Sequence, residues 1–167
     1  MIAITDVHYL PEGGAAAACV LVRALSDAAP VSRHRVVVET VAPYQPGRFF
    51  ERELPCLLAV LKALNDPVEL VVVDGFVWLG PQRPGLGAHL FEALQAKVAV
   101  VGVAKTAFVG APGIPVLRGS SHKPLFVTAQ GLDLEDAAAA VKAMAGDHRL
   151  PTLISMVDHL ARHGGAP

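Results

Sequence analysis

The chain has 167 residues, 53% of them hydrophobic and 17% charged, with a formal net charge of -1. That length suits one domain with a full core, and so apolar a composition excludes intrinsic disorder. The near-zero charge excludes a global electrostatic grip on a polyanion, though not a local basic groove. Cys19 and Cys56 sit on apolar stretches, so two buried reduced thiols and a cytoplasmic protein are expected. The start, Met1-Ile2-Ala3-Ile4-Thr5-Asp6, lacks the basic region of a signal peptide. No uncharged apolar stretch reaches about 18 residues, so no membrane span is expected.

The first strand runs from Met1 to Tyr9, with Ile2, Ile4, Asp6 and His8 on one face. A turn at Pro11-Glu12-Gly13-Gly14 leads into a second strand, Ala15 to Arg23, and the two form a hairpin. Arg35 to Val41 is the third strand of an antiparallel meander. Pro43-Tyr44-Gln45-Pro46-Gly47 is a rigid loop. Phe50, Leu54, Leu57, Leu58, Leu61 and Leu64 then recur at helical spacing. Pro55 fits the first turn of that helix, which puts Glu53 at or near its N-terminus. Val68 to Val73 is a continuous apolar run ending in Asp74-Gly75, the pattern of a strand covered on both faces. A helix over Pro84 to Ala96, a buried strand over Val98 to Val103 and a short strand over Leu125 to Thr128 follow. The segment from Gly110 to Gly119 reads as a loop. Asp133 caps a helix that Gly146 ends, and Pro151 opens a last helix reaching Arg162. The order predicts an α/β protein: a mixed sheet, with a three-strand antiparallel meander joined to parallel strands and helices on both faces. This is the arrangement of the RNase H-like fold.

Asp6 is a carboxylate within an apolar strand, and burying its charge is costly without a partner. Asp74 stands at the carboxyl end of a buried strand, where open α/β sheets place ligand sites. If those strands are neighbours, two carboxylates converge, and a hard divalent cation such as Mg²⁺ relieves their repulsion. Glu53 can supply a third oxygen. Each has a plainer reading: Asp74 as a turn former, Glu53 as an acid favoured by a helix N-terminus. Asp6 is the hardest of the three to explain by structure alone.

The residues around these acids resemble the endonuclease V family. The segments carrying the resemblance are Ile4-Thr5-Asp6-Val7, Pro43-Tyr44-Gln45-Pro46-Gly47, Arg52-Glu53-Leu54-Pro55, Val72-Val73-Asp74-Gly75 and Val101-Gly102-Val103-Ala104-Lys105. Pro124-Leu125-Phe126-Val127 and Arg149-Leu150-Pro151 continue it in the same order. The resemblance implies an RNase H-like fold and Mg²⁺-dependent cleavage of DNA or RNA beside a deaminated base such as inosine, with Mn²⁺ as a substitute. It implies metal binding and catalysis by Asp6, Glu53 and Asp74. It makes Tyr44 a wedge and Lys105 a phosphate contact, and places Pro46, Gly47, Arg52, Gly75 and His89 at the nucleic acid. A flipped base would be read by backbone groups in a pocket. Family members also carry a helical segment ahead of the first strand that these residues do not contain.

This chain departs from the family pattern at defined positions. Phe76-Val77 and Gly80-Pro81 stand where the family has His-Gly and His-Pro, and Ala129-Gln130-Gly131 replaces a late Gly-His whose imidazole is expected near the metal. Asp133 is the candidate replacement ligand there, against its reading as a helix cap. The alternative function is a catalytically impaired relative that binds nucleic acid or a protein. Arg118, His122 and Lys123 form a small basic cluster, read as a phosphate contact or a solvated face. Phe76 and Trp78 are base-stacking candidates if exposed and core if buried.

Overall fold

The computed structural model describes residues 1–164. Strands β1 (Ile2–Tyr9), β2 (Ala15–Val22) and β3 (Ser32–Val38) form the expected meander. Beyond it come α1 (Phe50–Lys62), β4 (Leu70–Asp74), β5 (Trp78–Gly80), β6 (Arg83–Pro84), α2 (Leu86–Ala93) and β7 (Ala99–Ala104). The chain continues through β8 (Ile114–Val116), β9 (Leu125–Gln130), α3 (Leu134–Ala143) and α4 (Thr152–His163). Seven strands make one sheet in the order β3-β2-β1-β4-β7-β9-β8. β4 is parallel to β1 and β7, while β9 is antiparallel to β7.

Strand alternation divides the buried residues between two faces. On one, Ile4, Val20, Val72, Val101 and Val127 pack with Ala137 and Val141 of α3 and Leu153 and Val157 of α4. On the other, Ala17, Cys19, Leu21, Val71, Val73 and Val100 pack with Cys56, Leu57 and Val60 of α1 and Leu90 of α2. The central strands are covered twice, which is why they read as unbroken apolar runs.

Several boundaries differ from the sequence reading. β3 lies three residues earlier than expected, because it ends where its partner begins: Val38 pairs with Ala15, and Gly14 turns away beneath it. Pro55 is the sixth residue of α1, not part of its first turn. The helix starts earlier because Glu51 N and Arg52 N already bond the Arg48 and Phe49 carbonyls. α2 is shorter than expected, ending before Gln95 and Ala96, which have positive φ. Pro151 is the N-cap of α4 and not its first residue. The β5–β6 hairpin and β8 went unpredicted: β8 gains strand character only by pairing with β9 at the sheet edge. Among the described residues no helix is long and apolar enough to cross a membrane.

Candidate active site

The acids meet because of sheet register. Ile4 of β1 pairs with Val72 of β4. Two residues further along each parallel strand stand Asp6 and Asp74, on the same face and on adjacent strands. Glu53 reaches them from α1, on the opposite face, and is only 8% exposed. Asp6, Glu53 and Asp74 line one open cleft of about 540 Å³ together with Phe49, Gly75, Phe76, Lys105 and Thr106.

Burial and crowding set the charge of this cluster. Burial, then the charges of Asp74 and Asp158, push Asp6 up to about 7. Burial, then Asp6 and Asp74, push Glu53 up to about 8. Both acids therefore hold their protons at a pH where free carboxyls have lost them. Lys105 Nζ donates to Asp74 Oδ2 at 2.7 Å. Burial opposes that ammonium's charge, but the Asp74 hydrogen bond and the surrounding acids outweigh it and hold Lys105 above its usual range.

Neighbouring side chains hold these groups. The Tyr9 hydroxyl donates to Glu53 Oε1 at 3.3 Å, and the Arg52 guanidinium lies 4.1 Å from the Tyr9 ring centroid and 5.9 Å from that of Tyr44. Arg149 donates to the Lys105 and Pro124 carbonyls, which ties the end of β7 to the segment before α4. Gly75 takes φ +133° as the chain leaves Asp74. Gly102 of β7 lets that turn lie close: a Cβ there would sit 2.5 Å from the Gly75 carbonyl oxygen. Val77 N donates to Thr128 Oγ1 at 2.8 Å, pinning the same segment from β9.

A second cavity of about 290 Å³ adjoins the cleft and shares Phe49, Asp74, Gly75 and Phe76 with it. Gly47, Phe50, Leu79, Arg83, Pro84, Gly85, Leu86 and Phe108 complete its lining. Phe76 and Phe108 face each other at 6.2 Å and 58°. Phe76 thus lines a cavity and is neither fully core nor fully exposed. Tyr44 (64% exposed) and Pro46 stand out on the loop before α1.

Other expected residues lie elsewhere. His89 stacks on Phe50, with ring centroids 3.6 Å apart, and lines a separate cavity with Trp78 and Gln130. Trp78 Nε1 donates to Gln130 Oε1 at 2.9 Å. Gln130 pairs with Val100, well back along β7 from Val103, the partner of Asp74. The late Gly-His position is therefore remote from the acids. Asp133 is remote too, and its carboxylate accepts from Asp136 N as the cap of α3. Asp158 of α4 stands at the cluster instead, sharing a small pocket with Asp6, Asp74 and Lys105. Burial pushes the Asp158 carboxyl up, but the Arg162 Nε–H shared between its two oxygens and the guanidinium charge outweigh it and hold it below its usual range. Its sequence signal was a lone acid among Val157, Leu160 and Ala161 on an amphipathic helix. Arg118 is buried and bonds the Lys142, Met144, Gly146, His148 and Arg149 carbonyls, so it is no solvated basic face.

The donor set suits a hard divalent cation: four carboxylates, two of them with charge suppressed by burial and mutual repulsion. Among the described residues no group of three His, Cys, Asp or Glu side chains is already drawn together as a metal site. Two cations touch the described acids, the Lys105 ammonium bonded to Asp74 and the Arg162 guanidinium bonded to Asp158.

Comparison with known proteins agrees with this arrangement. The sequence model of Endonuclease V matches residues 1–118. The chain is 32% identical to the Endonuclease V of Streptomyces avermitilis, over 94% of this chain and 77% of that protein. It is 30% identical to that of Alkalilimnicola ehrlichii, over 100% of this chain and 82% of that protein. The crystal structure of the S. avermitilis protein superposes with a TM-score of 0.78 at 33% identity, covering 96% of this chain and 79% of that one. Ciona intestinalis Endonuclease V, solved with a 24mer DNA containing an inosine followed by a ribo-adenosine, shares the fold at TM-score 0.80 and 22% identity, covering 96% and 83%. With its RNase H-like sheet carrying an acid at the end of each of two neighbouring parallel strands, the chain belongs to the endonuclease V family of nucleases.

Proposed function

We propose that this protein is a Mg²⁺-dependent endonuclease that cuts the phosphodiester backbone of DNA or RNA beside a deaminated base, with inosine as the model substrate. The observation that carries the reading is the shared wall of the two cavities. An acid-lined cleft for a metal and a phosphate opens onto an apolar, aromatic cavity suited to a base turned out of its stack. The Ciona relative was solved with inosine-containing DNA, which supports this choice of base.

In this reading Asp6, Asp74 and Glu53 hold the cation, with Asp158 beside them. When bound, it would activate water and stabilise the departing oxygen. Glu53 and Asp6 give up protons to bind it. Lys105 exchanges its bond to Asp74 for a phosphate oxygen and keeps its charge in doing so. Phe49, Phe76 and Phe108 exclude water around the turned-out base, whose edge meets backbone groups near Gly47 and Gly75. Tyr44, steadied by Arg52, fills the gap left in the strand. The free thiols Cys19 and Cys56 suit a reducing, cytoplasmic setting.

Incubation of an inosine-containing oligonucleotide with Mg²⁺, beside an adenosine control, tests the reading. Cleavage of the first alone is expected, and its loss in Asp6→Ala. One observation favours a second reading, a relative that binds nucleic acid without cutting it: Lys105 already neutralises Asp74. Retained binding with no cleavage in Mg²⁺ or Mn²⁺ would select it.

A further inference from the structure

Beside the acid cluster, on the α3–α4 face, the sheet carries a run of unneutralised arginine. Asp6 pairs with Ala18, and Ala18 with Arg35, so Asp6 and Arg35 lie on one face two strands apart. Val20 pairs with Arg33 one step along the same face. At the strand spacing of a sheet, Arg35 is about 10 Å from Asp6. Both arginines are exposed, and β3 is the sheet edge. Arg35 Nε and Nη2 donate to the Ala161 carbonyl at 3.4 Å, so the C-terminal turn of α4 holds the guanidinium in place. On that turn Arg162 Nε lies 3.0 Å from both carboxylate oxygens of Asp158 and remains 50% exposed. His159 and His163 are exposed beside it. Among the described residues, neither Arg33 nor Arg35 has a carboxylate partner.

A protein of net charge -1 with three acids in its cleft and Asp158 in the small pocket beside it repels a polyanion unless cations border the approach. These arginines supply such a border from one side, and Asp158 fixes the one nearest the acids. We propose that Arg162, Arg35 and Arg33 form a phosphate-binding track. It would carry the nucleic-acid strand from the acid cluster across the end of α4 to the β3 edge. The identity of the polyanion rests on the nuclease reading above.

The test is the salt dependence of binding of a fluorescent inosine-containing duplex, without divalent ions, to wild type, R33Q, R33Q/R35Q and R33Q/R35Q/R162Q. Each lost phosphate contact should lower the slope of log K against log[salt] by about 0.9, so the triple variant should lose about 2 to 3. R35K should keep the slope that R35Q loses, since a Lys ammonium still meets a phosphate. R33Q disturbs no hydrogen bond seen here and gives a readout even if R35Q loosens α4. A duplex trimmed to one nucleotide beyond the cut on the flank that crosses α4 should bind wild type and R33Q/R35Q alike. An unchanged slope in R33Q and in the triple variant would overturn the track while leaving the nuclease reading intact. Failure of wild type to bind any oligonucleotide would overturn both.

Discussion

Asp6 is a carboxyl at a position where the sheet would otherwise carry an apolar side chain, and it lines the acid cleft. It follows Thr5, whose hydroxyl donates to the Val72 carbonyl at 2.9 Å, and it continues the row of Ile2 and Ile4. Nothing in packing asks for a carboxylate there. Replacing Asp6 by Asn, Glu53 by Gln or Asp74 by Asn should lower cleavage of the inosine oligonucleotide by at least about 100-fold, read as initial rates, while binding without divalent ions persists. Tyr9 has the subtler part, with its hydroxyl on Glu53 and its ring under Arg52. Tyr9→Phe keeps the ring and removes one donor to a buried carboxyl. A stability loss of about 1 kcal/mol in urea titration is expected.

At the level of elements, two joints decide whether the acids keep their places. One is the contact of the Asp74–Gly75 turn with β7 at Gly102. Gly102→Ala would drive a methyl into the Gly75 carbonyl oxygen. It should cost about 1 to 3 kcal/mol and, by moving Asp74, lower cleavage at least tenfold. The other joint is Arg118, which gathers carbonyls from the end of α3 and the approach to α4. A leucine there would leave several buried carbonyls without a donor. The expected loss is about 3 kcal/mol or more, and because α4 carries Asp158, divalent-cation binding by calorimetry should weaken with it. His122 and Lys123, exposed on the same stretch, should tolerate alanine with little change in stability.

Across the whole molecule, the buried acids link stability to pH. Asp6 and Glu53 have folded-state values of about 7 and about 8, against about 4 in an unfolded chain. The folded protein therefore holds more protons than the unfolded one across that window. Their contribution is fully present below about pH 4 and is lost as pH rises through 7 and 8. At constant salt the metal-free protein should lose on the order of 6 kcal/mol from this source between pH 5 and 9. Thermal melts should show it as a falling Tm. Mg²⁺ or Mn²⁺ should raise the Tm more at pH 8 than at pH 6, since at pH 6 protons compete for the same oxygens. A Tm independent of pH over this range would mean that these carboxyls are not buried together.

The sequence by itself determined the alternating first strand, the doubly covered strands with their apolar runs, the cap at Asp133 and the ordered acids Asp6, Glu53 and Asp74. These are legible because burial imposes a period on a strand or helix, and because a charge set among apolar neighbours is conspicuous. Tertiary structure alone decided the rest. β8 and the β5–β6 hairpin exist through their partners, and α1 starts early because its first turn closes on Arg48 and Phe49. Arg118 looked like surface charge, yet its acceptors are carbonyls at least 24 residues away. The family pattern put the Ala129-Gln130-Gly131 position and Asp133 near the metal, but β9 runs antiparallel to β7 and carries them away from the cleft. Asp158 fills that place because α4 folds back across β1, and periodicity along one helix does not tell which strand end it will cover.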